Sequence, residues 1–164
     1  LKGHTGWVWC IRFLTPSKLI SASEDGTLRL WDVQNGQSLT TIFQANAPFT
    51  ALAISENGNQ IALGFADGLI HILTNYKNIN EANFNLSHTL TGHTKKVRTL
   101  LFRNNDTLVS GAEDNSLRVW SITKSTSNHI FWHDNFVTSL TLIDEKVLIS
   151  TSYDGSIRRF CVFI

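Results

Sequence analysis

The chain has 164 residues, of which 42% are hydrophobic, and it carries 14 Lys and Arg against 13 Asp and Glu. This near balance of charge provides no strong field for attracting nucleic acid or anionic lipid. No stretch approaches the ~20 consecutive apolar residues that span a bilayer. We therefore expect neither a nucleic-acid partner nor a membrane association.

The first predicted elements lie in residues 1–41. Residues 7–14 form a strand candidate, and a turn around Pro16 leads into a hairpin at residues 19–32. That hairpin turns at Asp25-Gly26, and an Asp-Gly pair between alternating apolar residues is the strongest short-range hairpin signal. A further turn leads into a fourth strand candidate, so the sequence predicts a unit of four strands.

The same hairpin returns three more times along the chain, at residues 62–73, 108–121 and 148–161. The turn aspartates are 42, 47 and 40 residues apart, and they are Asp25, Asp67, Asp114 and Asp154. A repeat of this length dominates any prediction of the fold. It divides the chain into four units, near 1–41, 42–88, 89–130 and 131–164.

Two units share a second motif at matching spacing. Gly3-His4 is followed by Trp31, 27 residues after the histidine, and Gly92-His93 is followed by Trp120 at the same distance. This pattern resembles the signature of the WD-repeat β-propeller family over essentially the whole chain. The resemblance implies an all-β fold of four four-stranded blades, in which the following chain supplies each outer strand, so that the last outer strand is missing.

Propellers of this family typically have seven or eight blades, so four units predict a partial or half ring with open strand edges. Two arrangements would cover these edges. The further blades could come from the same longer chain, which we favour, or from a second copy.

The second unit departs most from the motif. It has Ala45, Leu63 and Leu73 where the other units place histidine, serine and an aromatic residue. We interpret its polar residues 74–88, which include five asparagines, as an extended outer loop. The fourth unit keeps histidine and serine but has Phe160 in place of tryptophan.

Histidine, serine and tryptophan are lost together in the second unit, which indicates one connected network in each of the others. The resemblance implies a Trp-Ser-His-Asp hydrogen-bond tetrad, in which each group can donate or accept as required. Phe160 has no N–H, so we expect the fourth network to end at its serine. The predicted members are His4, Ser21, Asp25 and Trp31; His93, Ser110, Asp114 and Trp120; and His133, Ser150 and Asp154.

Recurring Ser, His and Asp also raise the possibility of catalysis. Three copies of a nucleophilic triad in one small chain, without any strained elbow motif, favour a structural role instead. We therefore predict no catalytic residues and no enzyme activity. A metal site at His129, His133 and Asp134 lacks a cysteine or second carboxylate at ligand spacing, so we predict no metal and no cofactor.

Three arginines, Arg29, Arg118 and Arg158, each lie four residues after a turn aspartate. Three arginines at one repeated position suggest a phosphate-binding site. Because they alternate with apolar residues along the third strand, we favour a structural role, in which the aliphatic part of each side chain packs between blades. The two cysteines, Cys10 and Cys161, lie in apolar runs and predict buried, reduced thiols. Such thiols are typical of an intracellular protein, and we predict a cytoplasmic location.

The resemblance implies that a partner binds the narrow face of the ring, around the central channel. The apolar residues Val8, Ile11 and Phe13 are three and then two residues apart, whereas a regular strand would space them by two. This irregularity predicts a bulge that turns the residues on either side of Val8 toward this face. Aromatic and arginine side chains dominate interface hot spots. The predicted partner-binding residues are Trp7, Trp9, Glu24, Lys96, Arg98, Glu113, Phe136 and Tyr153.

We therefore predict a non-enzymatic protein–protein interaction scaffold that presents a rigid propeller face to a protein or peptide. The alternative is a phosphopeptide-recognising substrate adaptor that uses Lys96 and Arg98. Glu113 lies beside these two cations and favours an internal ion pair instead. A second alternative is that Trp7 or Trp9 packs against a neighbouring blade and does not contact a partner.

Overall fold

The computed structural model describes residues 1–75, 83–144 and 146–161. Within these residues the chain is all-β, as the sequence predicts, and every sheet is an antiparallel meander. No helix in this part of the chain is long and apolar enough to cross a membrane. The first sheet contains β1 (Val8–Thr15), β2 (Lys18–Ser23), β3 (Thr27–Asp32) and β4 (Gln37–Gln44).

The remaining sheets repeat this order. The second contains β5 (Phe49–Ile54), β6 (Gln60–Phe65), β7 (Ile70–Thr74) and β8 (Asn85–Leu90), and the third contains β9 (Val97–Phe102), β10 (Thr107–Ala112), β11 (Ser116–Ser121) and β12 (Thr126–Trp132). The fourth sheet has three strands among the described residues, β13 (Val137–Leu142), β14 (Val147–Ser152) and β15 (Ile157–Cys161).

The four sheets lie side by side as successive blades. Their first strands β1, β5, β9 and β13 contact one another in chain order, and apolar clusters fill the three joints between sheets. The sheets do not close into a ring. Strands between two joints are buried on both faces, which explains the continuous apolar runs in their sequences.

Each predicted hairpin turns at the residue after its aspartate. Gly26, Gly68 and Gly155 have φ of 75°, 94° and 81°, and Asn115 has φ of 70°. Glycine and asparagine tolerate this left-handed region best. In each turn the aspartate Oδ1 also accepts the backbone N–H two residues ahead, as from Thr27 to Asp25 at 2.9 Å. The local sequence therefore fixes these turns.

A bulge interrupts the first strand of every sheet at the same point. The register shifts between Val8 and Cys10 in β1, and equivalent shifts occur in the pairing of β5, β9 and β13. Two residues there oppose one on the neighbouring strand. The extra residues are Trp9, Thr50, Arg98 and Thr138. The bulge predicted from the spacing of apolar residues is therefore confirmed.

Two sequence predictions are wrong in part. Residues 85–88 belong to strand β8 rather than to an outer loop, because they pair with β7 while the flanking Phe84 and Leu90 are buried. Residues 76–82 of that predicted loop lie outside the described residues. Cys161 is free as expected, but it is exposed because β15 carries it at the uncovered end of the fourth sheet; Cys10 is half-buried.

Candidate interaction site

A hydrogen-bond chain joins the second and third strands of the first sheet to the loop before it. The Trp31 indole N–H donates to Ser21 Oγ at 2.7 Å, Ser21 Oγ lies 2.6 Å from His4 Nε2, and His4 Nδ1 lies 2.8 Å from Asp25 Oδ2. Since indole only donates and carboxylate only accepts, the serine hydroxyl donates to Nε2 and Nδ1–H donates to Asp25.

The third sheet repeats this chain with nearly the same geometry. Trp120 donates to Ser110 at 2.7 Å, Ser110 lies 2.6 Å from His93, and His93 lies 2.9 Å from Asp114. In the fourth sheet His133 contacts Ser150 at 2.6 Å and Asp154 at 3.1 Å, and Phe160 supplies no further donor. In the second sheet, Leu63 and Leu73 are fully buried and replace the polar chain by apolar packing.

A second hydroxyl group belongs to each network, and the sequence prediction missed it. Thr27, Ser116 and Ser156 lie two residues after the turn aspartates, and their hydroxyls lie 3.0 to 3.2 Å from the histidine Nδ1. Thr27 and Ser116 donate to the aspartate at 2.6 and 2.7 Å. Comparing the units two residues after each aspartate would have found these residues.

These contacts hold the network carboxylates in their ionised form. Burial raises the pKa of Asp25, but hydrogen bonds from Thr27, Thr5 and His4 outweigh it and hold the pKa well below its ordinary value. The same balance applies to Asp114, where His93 and Ser116 donate. At Asp154 the hydrogen bond from Ser156 is the largest influence and lowers the pKa.

The serines of the three networks are buried. Ser21, Ser110 and Ser150 are 3%, 0% and 0% exposed. A cavity of about 680 Å³ borders the first network. It lies on the uncovered face of the first sheet, at the position where the preceding blade packs in the internal joints.

The other chemical candidates have structural partners. Arg158 donates to Asp134 at 2.7 Å and to Asp154 at 3.2 Å, while Arg118 lies over the Trp120 ring at 5.8 Å. His129 stacks on Phe131, away from the His133 network. Among the described residues, no three His, Cys, Asp or Glu side chains are placed to hold a metal ion.

Six of the predicted partner-binding side chains form two contacting groups at the narrow face, which the backbone of residues 96–98 joins. We call them together the aromatic–cationic row (Trp7, Trp9, Lys96, Arg98, Phe136 and Tyr153). Trp7 and Trp9 meet edge to face at 5.5 Å, and the Lys96 ammonium lies 4.6 Å from the centre of the Trp9 ring. Farther along, Arg98 lies 5.5 Å from the Tyr153 ring, and Tyr153 meets Phe136 at 6.2 Å and 90°.

Side chains of the first and third units contact each other across the second unit. Trp9 is on the first sheet and Lys96 precedes the third, yet the two side chains touch. The intervening positions, Pro48, Thr50 and Ala66, are small or compact, and Thr50 turns its hydroxyl to the Val97 carbonyl at 2.6 Å. The absence of a long side chain in the second unit therefore leaves the channel side of Trp9 open to Lys96.

Backbone hydrogen bonds fix the row to the hairpin turns. The N–H groups of Glu24, Glu113 and Tyr153 donate to the carbonyls of Trp7, Lys96 and Phe136 at 2.8, 2.9 and 3.0 Å. Each bond ties the start of a first strand to the turn between the second and third strands. Trp7, Trp9 and Tyr153 remain 70%, 42% and 61% exposed, so the row combines fixed backbone with accessible aromatic surface.

The two glutamates of the predicted site differ. Glu113 receives the Arg98 guanidinium at 2.6 Å, which is the internal ion pair that the sequence suggested as an alternative. Glu24 is exposed and borders a shallow depression lined by Ala45, Asn46 and Pro48. Glu24 therefore flanks the row.

A pocket of about 280 Å³ opens beside Arg98, between the third and fourth sheets. Phe136 and Tyr153 form its aromatic walls, and Asn135 completes it. Asn135 Oδ1 accepts the Phe136 N–H at 2.8 Å, which leaves its side-chain N–H groups for other acceptors. Sequence comparison among the units missed Asn135 because the position shares no residue type with the other units.

Comparison with known proteins agrees with this geometry. The family pattern described as "WD domain, G-beta repeat" (WD40) matches residues 1–32 and 84–121. The chain belongs to the WD-repeat β-propeller family. The matched residues cover the first unit through Trp31 and the third unit through Trp120, which are the two units with complete tetrads.

Three proteins illustrate the extent of the similarity. The chain is 28% identical over 160 residues to the DENN domain and WD repeat-containing protein SCD1 of Arabidopsis thaliana, covering 96% of the chain and 13% of that protein. It is 28% identical over 172 residues to eukaryotic translation initiation factor 3 subunit I of Culex quinquefasciatus, covering 97% and 52%. The crystal structure of the RRP9 WD40 repeats superposes with a TM-score of 0.84 at 25% identity, covering 97% of the chain and 49% of the other. The chain thus spans about half or less of these proteins.

Proposed function

We propose that this WD-repeat segment is a non-enzymatic interaction platform that binds a protein or peptide through its narrow face. WD40 proteins generally act as protein-interaction scaffolds, and one relative is by name a subunit of a larger factor. The observation that carries the proposal is the aromatic–cationic row, whose two groups of contacting side chains lie on the same face. A cytoplasmic location and the lack of nucleic-acid or membrane partners stay predictions from the sequence.

The chemistry of the row suits a protein interface. Tryptophan, tyrosine and arginine are the residues most enriched among interface hot spots, and preformed anchors lose little entropy on binding. Trp7 and Trp9 offer the largest exposed aromatic surface of the row on a backbone that the Glu24 hydrogen bond holds in place. We assign them as the central anchors.

The uncovered face of the first sheet supports a second kind of contact, with a further blade. Val8 is 48% exposed, whereas its equivalents Phe49, Val97 and Val137 are 0% exposed because a preceding blade covers them. The further blade comes from the same protein or from a second copy. This contact completes the architecture and is separate from the narrow face.

Phosphopeptide recognition by Lys96 and Arg98 is less well supported. Arg98 already donates to Glu113, so a phosphate group there would approach a carboxylate 2.6 Å from the same guanidinium. Like charges at this distance oppose each other strongly.

Replacing Trp7 and Trp9 by alanine in the full-length protein tests the platform. We expect proteins that co-purify with the wild type to fall at least about tenfold, since each hot-spot tryptophan contributes about 2 kcal/mol or more. Trp132→Ala is the matched control, because Trp132 is 58% exposed but lies on an outer strand.

Thermal unfolding must show that the variants fold like the wild type. Retention of the same proteins by the Trp7 and Trp9 double variant and by Trp132→Ala would contradict the proposal. Loss of folding in the double variant would instead assign the two tryptophans to packing and would also contradict it.

A further inference from the structure

The aromatic–cationic row contains two positions that can receive an anion, and their environments differ. The first is the Lys96 ammonium. Among the described residues no carboxylate lies within ion-pair distance of it, and its recorded contact is with the Trp9 ring. A ring face attracts the cation but accepts no conventional hydrogen bond, so the ammonium N–H groups remain available.

The second position is the pocket beside Arg98. The Arg98 guanidinium has five N–H donors, and Glu113 receives the Nη1 group at 2.6 Å. Asn135 contributes the side-chain N–H groups that its contact with Phe136 leaves over. Donors on one side and the Phe136 and Tyr153 rings on the other make a pocket for a small anionic group on an apolar stem.

The two positions lie toward opposite ends of the row. Lys96 and Arg98 are two residues apart where the chain enters β9, but the Lys96 ammonium lies over the Trp9 ring of the first sheet, whereas the Arg98 guanidinium lies over the Tyr153 ring of the fourth. A peptide segment that crosses the row meets the two cations with different side chains. Lys95 adds a third, exposed cation beside them, so the local charge exceeds that of Glu113.

We propose that the row binds an extended segment of the partner that carries two acidic residues. One carboxylate contacts Lys96 and the other enters the pocket between Arg98 and Asn135. Apolar residues on either side of the acidic pair pack on Trp7 and Trp9 at one end and on Phe136 and Tyr153 at the other. This inference rests on the proposed function and names its ligand.

Carboxylates fit this row better than phosphates. The Glu113 carboxylate shares the Arg98 guanidinium, so it repels a dianion more strongly than a monoanion. It also leaves part of the guanidinium fork free, which suffices for one carboxylate.

Selection from a phage library of random 12-residue peptides on the immobilised protein tests this inference without assuming a sequence. We expect selected peptides to be enriched in sequences with two Asp or Glu residues that have apolar neighbours. A selection that returns no such enrichment, including one that returns no binders, overturns it.

Protein variants then assign the contacts. Lys96→Gln and Arg98→Gln should each weaken a selected peptide about tenfold or more in fluorescence anisotropy. Lys124→Gln removes the same charge from an exposed turn at the opposite end of β11 and should leave the affinity unchanged. Equal affinities for the Lys96→Gln and Lys124→Gln variants would overturn the inference.

Peptide variants test each carboxylate and the choice of anion. Replacing either acidic residue by its amide, Asp by Asn or Glu by Gln, should weaken binding. Phosphoserine in place of either acidic residue should not strengthen it; a gain above about tenfold would assign the row to phosphate recognition and overturn the choice of carboxylate.

The outcome for the platform itself is distinct. Peptides that bind in a Trp7- and Trp9-dependent manner but lack acidic residues would sustain the proposed function and remove this inference. Peptides that bind independently of both tryptophans would count against the platform.

Discussion

The Ser110 hydroxyl forms hydrogen bonds with two buried side chains of its network, whereas the Ser150 hydroxyl forms one. Trp120 donates to Ser110 and His93 accepts from it, but in the fourth sheet Phe160 leaves only His133. This difference between repeats of one chain provides an internal measure of what the indole contact contributes.

We expect Ser110→Ala to lower the free energy of unfolding by about 3 kcal/mol, because two buried polar groups lose their partner. Ser150→Ala should cost about half as much. Urea denaturation of both variants measures the difference. An equal loss, or a larger loss for Ser150→Ala, would contradict the proposed donor chain.

The network aspartates also predict how stability depends on pH. Since hydrogen bonds hold their pKa below the unfolded value of about 3.9, their contribution is fully present above that value and is lost as pH falls below it. The urea concentration at the unfolding midpoint should therefore be nearly constant between about pH 7 and pH 5, and it should decrease when the pH is lowered further than about 4.

Asp114→Asn should be less stable at pH 7 and should show a shallower fall in acid than the wild type. Glu56→Gln, which removes an exposed carboxylate outside the network, is the matched control. An unchanged acid slope in Asp114→Asn would contradict this assignment.

At the scale of elements, glycines in the second strands permit the close approach of neighbouring sheets. A Cβ added at Gly111 would lie 2.4 Å from Val137 Cγ1, and one added at Gly64 would lie 2.8 Å from Val97 Cγ1. In the fourth sheet the equivalent residue is Thr151, on the uncovered side. The residue at this position is therefore small where the next sheet packs against it and larger where no sheet does.

Gly111→Ala should destabilise the protein by about 1 to 3 kcal/mol through overpacking. Val137→Ala should relieve part of this cost, so the two changes should couple, whereas Leu28→Ala, in the joint between the first two sheets, should add independently. A double-mutant cycle by urea denaturation measures the coupling. Additivity between Gly111→Ala and Val137→Ala would contradict direct packing.

Internal repetition explains why so many elements could be predicted from one sequence. The hairpins at Asp25, Asp67, Asp114 and Asp154 and the bulged first strands follow from local turn chemistry and the spacing of apolar residues. The strand at residues 85–88 was missed because this segment contains no β-branched residue and no Phe, Tyr or Trp, and pairing with β7 overrides this weak propensity.

The row at the narrow face could be predicted only in part. The bulge indicated that Trp9 and Arg98 point to one face, but the contact between Trp9 and Lys96 depends on the curvature of three successive sheets. Asn135 was missed for a similar reason, since its role comes from a pocket shared by two sheets.

At the scale of the whole molecule, the first sheet presents an apolar face without a cover. Ile11 and Phe13 are 53% and 61% exposed, while Leu52 and Leu100, the equivalents of Ile11, are 1% and 5% exposed. Contiguous exposed apolar surface of this kind favours association.

We expect the isolated chain to associate in a concentration-dependent manner, and Ile11→Ser with Phe13→Ser to reduce this association. Ile143→Ser changes an isoleucine that is 67% exposed in a turn and is the matched control. Sedimentation velocity measures the molecular mass of the wild type, the double variant and the control, for comparison with the 18.4 kDa of a single chain. Identical sedimentation of the double variant and the wild type would contradict the prediction.

The position of the bound partner is the most direct measure of the platform. Hydroxyl-radical footprinting of the protein with and without its captured partner reports the solvent access of individual aromatic side chains. We predict strong protection of Trp7, Trp9 and Tyr153 and unchanged reactivity of Trp132. Protection of Trp132 with Trp7, Trp9 and Tyr153 still reactive would contradict the assignment of the narrow face.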